Sequence, residues 1–263
     1  MRLIKPVLFS SIFAFLTFSV FAQADSVLSK NDNSQNKKLN FIKLNLTAFV
    51  LKNYSFQYEK AVSRKISLGS SFRIMPSGSI PLQNTVLKIV DKNNADEETR
   101  NAIESLRMSN IAITPEAKLY LSNRGYGRGF YISLFYRYAK FNVDNVLFNV
   151  ESAPGVTREI SFSGSLSANT GGLLFGAQWP IGKSFCLDLW LIGPHIGSGN
   201  GLIDATPSTP LTTFEQNELR RTLEDLEIPL TRKTVTVSAN AASLKLDGPW
   251  GGIRSGLSFG VRF

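Results

Sequence analysis

The sequence predicts an all-β chain, an eight-stranded antiparallel transmembrane barrel with two helix-containing extracellular loops. Three observations point there: an export leader at one end, a final strand with one apolar face ending in Phe at the other, and period-2 alternation in between.

The leader comes first. Arg2 and Lys5 precede an apolar run over residues 7–20 that only small hydroxyl residues interrupt. Ala22 and Ala24 then place small side chains at the two positions a signal peptidase reads, so cleavage after Ala24 is expected. The run is too short for the ~20 residues of a spanning helix, and no cysteine follows the cleavage site to carry a lipid. Residues 25–38 are polar and rich in Asn, Ser and Lys, a flexible periplasmic lead-in. The barrel is assigned to residues 39–263.

The last strand alternates cleanly. Phe263, Val261, Phe259, Leu257 and Ile253 share one face, while Arg262, Gly260, Ser258, Gly256 and Arg254 share the other. Such a strand, ending in Phe, is similar to the insertion signal that the barrel assembly machinery reads in bacterial outer-membrane barrels.

Earlier strands repeat the pattern. Over residues 40–50, Ile42, Leu44, Leu46, Ala48 and Val50 oppose Lys43, Asn45 and Thr47. Over 53–62, Tyr54, Phe56 and Tyr58 oppose Ser55, Gln57 and Glu59. A tight turn at Ser63 to Lys65 leads to Ile66, Leu68, Phe72 and Ile74, opposed by Ser67, Gly69, Ser71 and Arg73. Apolar residues facing out and polar ones facing in invert the arrangement of a soluble barrel.

A long segment over 76–109 interrupts the strands and carries a helix over 94–108, with Asn94 and Glu97 as its cap and Ala102, Ile103 and Leu106 at helical spacing. A strand over 111–121 sets Glu116 and Lys118 inward, and Pro115, unable to donate a ladder hydrogen bond, predicts a bulge or local break. After a Gly-rich turn over 122–129 come an aromatic strand over 130–141, a hairpin-like extension across 153–155, and a returning strand over 161–179. A strand over 184–192 follows, with Asp188 and Trp190 inward. A second insertion over 193–247 holds a helix capped by Thr213 with Gln216, striped by Leu219, Leu223 and Leu226 and ended by Pro229. Residues 233–237 continue the wall above the membrane. The two helices are expected to pack on each other as an external lid.

Composition excludes several classes. Of 263 residues 43% are hydrophobic, yet no apolar run after the leader suits a transmembrane helix. The 19 Phe and 7 Tyr are ample for the aromatic girdles of a barrel. Cys186 is alone, so no intramolecular disulfide forms. Net charge is +9, and loss of Arg2 and Lys5 with the leader leaves +7, which suits anionic outer-membrane lipid and lipopolysaccharide. No nucleic-acid signature is present, and the turn over 124–129 lacks the Lys-Ser/Thr ending of a phosphate loop.

At this point the chain resembles an uncharacterised family of small outer-membrane barrels common in Bacteroidota, domain-of-unknown-function family 3575. The resemblance rests on residues 43–75, Thr114-Pro115-Glu116, Trp179-Pro180-Ile181-Gly182-Lys183 with Leu187-Asp188-Leu189-Trp190, and Gly248-Pro249-Trp250-Gly251. It implies an eight-stranded barrel in the outer membrane and transfers no catalytic residue.

Two groups carry the chemistry. Glu59, Arg73, Glu116, Lys118, Arg137, Asp188, Arg254 and Arg262 all point inward, and a bore of about eight strands is just wide enough for side chains to fill. They are expected to form lumen ion pairs, Glu59 with Arg73 among them, and the excess of cations calls for waters or bound anions. Inward Tyr131, Phe135 and Trp190 argue against a passive pore. His195, the only histidine, sits just outside a strand end. One reading is therefore a non-catalytic barrel without cofactor or metal, structural or binding a ligand or an extracellular partner through its loops. The other is a lipid-modifying enzyme, similar to a lipid A deacylase, using His195 at the outer rim. The odd spacing of His195 and Ser198 puts them on opposite strand faces and disfavours the second.

Overall fold

The computed structural model describes residues 38–263, apart from 93–96, 154, 227 and 229. Ala22 and Ala24, the leader, nearly all of the lead-in, Asn94 and Pro229 lie outside the described residues. Antiparallel hairpins follow one another until the first strand meets the last. The ring consists of β1 (Asn40–Asn45), β2 (Tyr54–Ala61), β3 (Ile66–Ser79), β4 (Arg107–Tyr120), β5 (Gly129–Ala153), β6 (Val156–Ile181) and β7 (Phe185–Ala205), closed by β9 (Ala242–Arg262). β9 pairs with β7 on one side and with β1 on the other. A ninth strand, β8 (Arg232–Val237), stands outside the ring and pairs only with the upper part of β9.

Alternation decides which side of the wall each residue takes. In β2 every second residue is buried, Ser55, Gln57, Glu59 and Ala61, while Tyr54, Phe56 and Tyr58 are exposed. The same phase holds around the ring, leaving Ile42, Phe56, Leu68, Ile113, Leu134, Leu173, Leu191 and Ile253 exposed, one from each ring strand. Aromatic side chains edge this belt. Phe130, Trp179, Phe185 and Phe263 lie at the end where Asn40 meets Phe263, and Phe49, Tyr54 and Tyr136 lie at the other. No helix of the described residues is long and apolar enough to cross a membrane, which says nothing about strands.

The ring is low on one side and tall on the other. β1 has 6 residues and β2 has 8, while β5, β6, β7 and β9 run for 25, 26, 21 and 21. The expected strand over 40–50 stops at Asn45, where Thr47–Leu51 wind into a short 3-10 turn that buries none of its side chains. The strand over 130–141 continues to Ala153 through a bulge beside Asn145, whose φ is +58°. Pro115 keeps its register and produces no bulge. The β4–β5 ladder omits Thr114 and Pro115, the local break that a missing N–H explains.

Helices occupy both insertions. α1 (Gln83–Lys92) was not expected, although Gln83, Val86, Leu87 and Val90 repeat at helical spacing. α2 (Glu97–Ser105) is shorter than the helix expected over 94–108, because β4 already begins at Arg107. Gln83 donates to the Ile103 carbonyl at 2.9 Å, and Arg100 bridges Asp91 and Glu104, so the pair is tied together. α3 (Thr213–Asp225) begins one residue earlier than expected. Thr212 is its N-cap, in a reciprocal capping box with Glu215, instead of Thr213 with Gln216. Nor does α3 form a lid with α2. Its Leu219 and Leu223 are fully buried against Val150, Ile160, Phe162, Val237 and Leu244, on the inner face of the tall strands above the ring.

Candidate functional site

Four strands, two of them the neighbours β1 and β2, each send one charged side chain into the bore. Lys43 comes from β1, Glu59 from β2, Lys118 from β4 and Asp188 from β7, and none exposes more than 1% of its surface. Small cross-strand neighbours make room: Lys118 faces Ser67 and Ser133, and Asp188 faces Ser258. Lys43 Nζ donates to Glu59 Oε2 at 2.5 Å and Asp188 Oδ2 at 2.6 Å, and Lys118 Nζ donates to the same two oxygens at 2.9 and 2.7 Å. Each remaining carboxylate oxygen accepts a phenol, Tyr120 on Glu59 at 2.7 Å and Tyr131 on Asp188 at 2.6 Å. Gln178 accepts from Lys43 at 2.5 Å. Gly176 leaves Tyr131 its place, since a Cβ there would stand 2.5 Å from the phenol. Two ammonium groups and two carboxylates form a neutral ring whose carboxylate oxygens are all bonded, the condition under which buried charge is tolerable.

Apolar side chains seal this quartet. Tyr120, Tyr131, Phe135, Leu174 and Trp190 form a buried cluster, and Phe41, Ala61 and Cys186 form another nearer the chain termini. The expected inward aromatics Tyr131, Phe135 and Trp190 are therefore all in the bore.

Above the quartet the balance changes. Glu116 accepts from Gln57 and, at 3.4 Å, from Arg254. The Arg254 guanidinium lies 4.4 Å from the Phe135 ring centre and 4.7 Å from that of Trp190, a cation–π arrangement. Arg73 donates twice to Asn110 Oδ1, at 3.1 and 2.8 Å, and Arg137 reaches Thr114 Oγ1 at 3.4 Å. Among the described residues neither Arg73 nor Arg137 meets a carboxylate. All three arginines border a cavity of about 1370 Å³, together with Asn53, Ser55 and His195.

Of the inward charges expected from sequence, Glu59, Lys118 and Asp188 enter the quartet, Glu116 links it to Arg254, and Arg73 and Arg137 stand above it. Arg262 is apart at the terminal end, donating to the Lys38 carbonyl at 2.9 Å. The expected Glu59–Arg73 pair does not form. The β2–β3 register sets Glu59 against Gly69 and Arg73 against Ser55, four residues away along the sheet. Lys43 was missing from the set, although alternation already placed it inward. Val261, Phe259 and Phe263 face outward as expected, with Leu257 partly covered beside them.

His195 needs a larger correction. It lies within β7, not in a loop. Leu191 is an extra residue in β7, where the pairings with β6 and β9 both shift register, and Leu191 and Ile192 are both exposed. Below the bulge Asp188 and Trp190 face inward, and above it the phase flips, so Gly193 and His195 do. His195 packs edge-on to Phe135 with centroids 6.0 Å apart, and among the described residues its buried Nδ1 has no hydrogen-bond partner. Ser198 is exposed on the outer face. Among the described residues no group of three or more His, Cys, Asp or Glu could hold a metal.

Comparison with curated proteins and with solved structures finds no match. The family model of the proteins of unknown function DUF3575 matches residues 16–198, a stretch that runs from before β1 into the upper half of β7. With that share of its length matched, and with seven of the eight ring strands beginning inside it, the chain belongs to the DUF3575 family.

Proposed function

We propose that this protein is an outer-membrane β-barrel with a plugged bore and no catalytic role, acting through the parts that stand outside the lipid. The observation that carries the reading is the pairing of an outward apolar belt with an inward closed ring of charges. Water outside and a polar bore would make the belt a large exposed apolar surface, which soluble monomers avoid, whereas hydrocarbon outside makes both faces favourable. Strand length supports the projection. The 26 residues of β6 span roughly 85 Å at 3.3 Å each, well beyond a ~30 Å hydrocarbon core even when tilted. Outer-membrane lipid, including lipopolysaccharide, and the barrel assembly machinery acting on the strand that ends in Phe263 are the partners this reading implies. An envelope or extracellular partner would meet the projecting sheet and its helices.

Full-length protein expressed in a Gram-negative host should fractionate with the outer membrane and migrate faster unheated than boiled on a gel. Deletion of Phe263 should lower the yield of the fast form. Recovery as a soluble protein with no heat-dependent migration overturns the reading, and sustained ion conductance in planar bilayers overturns the plug. The alternative, a lipid hydrolase built on His195, is not favoured, because Ser198 lies on the opposite side of the wall. Substituting His195→Ala should leave the lipid A mass spectrum unchanged.

A further inference from the structure

β9 is far longer than the strand it closes against. β1 ends at Asn45, opposite Ser258, and the last backbone bond of the seam runs from the Leu46 N–H to the Leu257 carbonyl at 2.8 Å. Higher up, β8 covers β9 only from Ala242 to Asp247. Among the described residues, the β9 edge over 248–256 therefore pairs with no strand, which leaves a gap in the wall above the exposed 3-10 turn. Phe49, Val50 and Ile253 are exposed beside it, so the gap opens within the apolar belt. Unpaired backbone groups at that level cannot face hydrocarbon. Whatever fills the gap must offer them polar partners.

The cavity behind the gap specifies the rest. It is one continuous space, lined inside by Arg73, Arg137 and Arg254 and outside by Leu189, Leu191 and Ile253. Among the described residues Glu116 is the only carboxylate that meets any of the three guanidinium groups; it pairs with Arg254 and also lies 3.6 Å from Lys118. An occupant with an anionic end and an apolar end matches both walls. Guanidinium forks suit phosphate oxygens, and an acyl chain suits the outer faces of β7 and β9.

We infer that the gap between β1 and β9 binds a phosphate-bearing lipid of the outer leaflet, with the phosphate on Arg73, Arg137 and Arg254 and an acyl chain along the outside of β7 and β9. The inference rests on the membrane reading above. The test uses the mature chain folded in detergent micelles, with dipalmitoyl phosphatidic acid, dipalmitoylglycerol and inorganic phosphate as probes, read by native mass spectrometry. One phosphatidic acid should be retained per barrel and the uncharged diacylglycerol should not. Retention should fall at least about tenfold in Arg137→Gln and in Arg73→Gln, with partial rescue by Arg137→Lys. Equal retention of both lipids, retention of neither, or unchanged retention in the variants overturns the site. Inorganic phosphate that displaces the lipid at equal concentration makes it a site for free anions and overturns the lipid. Heat-dependent migration is measured on every sample. Its absence in wild type counts against the barrel reading, and its absence in one Gln variant passes the test to the other.

Discussion

β6 crosses two environments, and its faces exchange character between them. In the ring its inward positions hold Gln178 and Thr170, and its outward positions hold Trp179, Phe175 and Leu173. Above the ring the inward positions hold Phe162 and Ile160, and the outward ones Ser161, Ser163 and Glu159. β9 makes the same exchange. Ser258 and Arg254 inside give way to Leu244 and Ala242, while Phe259 and Ile253 outside give way to Asp247 and Lys245. One continuous backbone thus carries an inside-out barrel below and an ordinary apolar core above. The surroundings, not the strand geometry, decide which face is apolar. The exchange falls between Leu173 and Ser163 on β6 and between Ile253 and Asp247 on β9, which places the outer lipid boundary there under the membrane reading.

If the two regions are held by different forces, they should fail differently. The largest effect is expected in the quartet. Removing one partner, as in Asp188→Ala, leaves the two ammonium groups with Glu59 and the more distant Glu116 and should cost about 3–5 kcal/mol. Denaturant unfolding in micelles measures it. The double variant Lys118→Met with Glu59→Leu should lose less than its single losses combined, and strict additivity would show that the ring is not a unit. Next comes the upper core. Leu223→Ala should cost about 3 kcal/mol and open the insertions to added protease, while the ring keeps its heat-dependent migration. Loss of both together would mean the two regions fold as one.

The smallest expected effect is at Glu215, which belongs to the upper region. Its carboxylate accepts from the Thr212 N–H at 2.7 Å and from Ser152 at 2.8 Å, and lies 3.5 Å from Arg158. These bonds, the backbone one first, hold its pKa at about 2, below the usual 4.5, while burial pulls the other way. Glu215 is itself buried, with its carboxylate held by those partners. A depressed pKa means stability that is full above about pH 4.5 and is lost as pH falls toward 2. Glu215→Gln should therefore cost about 1 kcal/mol at pH 7 and much less at pH 2. A loss of equal size at both pH values would show that charge plays no part in the cap.

Most of the ring was legible because period-2 alternation reports the side of the wall directly, whatever lies across it. What alternation does not report is who meets whom. The β1–β2 hairpin brings Lys43 to Glu59, 16 residues away, but Asp188 lies 145 residues from Lys43, and only closure of the ring brings those two together. The Glu59–Arg73 pair failed for a related reason, since the length of the turn at Ser63 to Lys65 sets the register and moves Arg73 four residues away. His195 was misread because one inserted residue at Leu191 reverses the phase, and a sequence window sees that only as two adjacent apolar residues. The strand over 130–141 and the hairpin-like extension across 153–155 were not joined into one strand, because Asn142, Asp144 and Asn145 hide a bulge inside a continuing β5.

The seam between β1 and β9 joins only Asn40–Leu46 to Leu257–Phe263, the two ends of the described chain. Every other ring pairing between sequence neighbours can form as the sheet grows, whereas this one, and the β7–β9 pairing across the second insertion, must wait for distant segments. Lys43 is carried by β1. Until the seam closes, the β1–β2 hairpin can already bring Lys43 to Glu59, but Asp188 on β7 lacks Lys43, and the sheet presents an unpaired edge to any other copy. Closure brings Lys43 to Asp188 and completes the quartet in the same step. The quartet thus acts as a lock on circularity: its ion pairs are complete only in a ring, which sets the closed monomer apart from every open sheet the same strands could build.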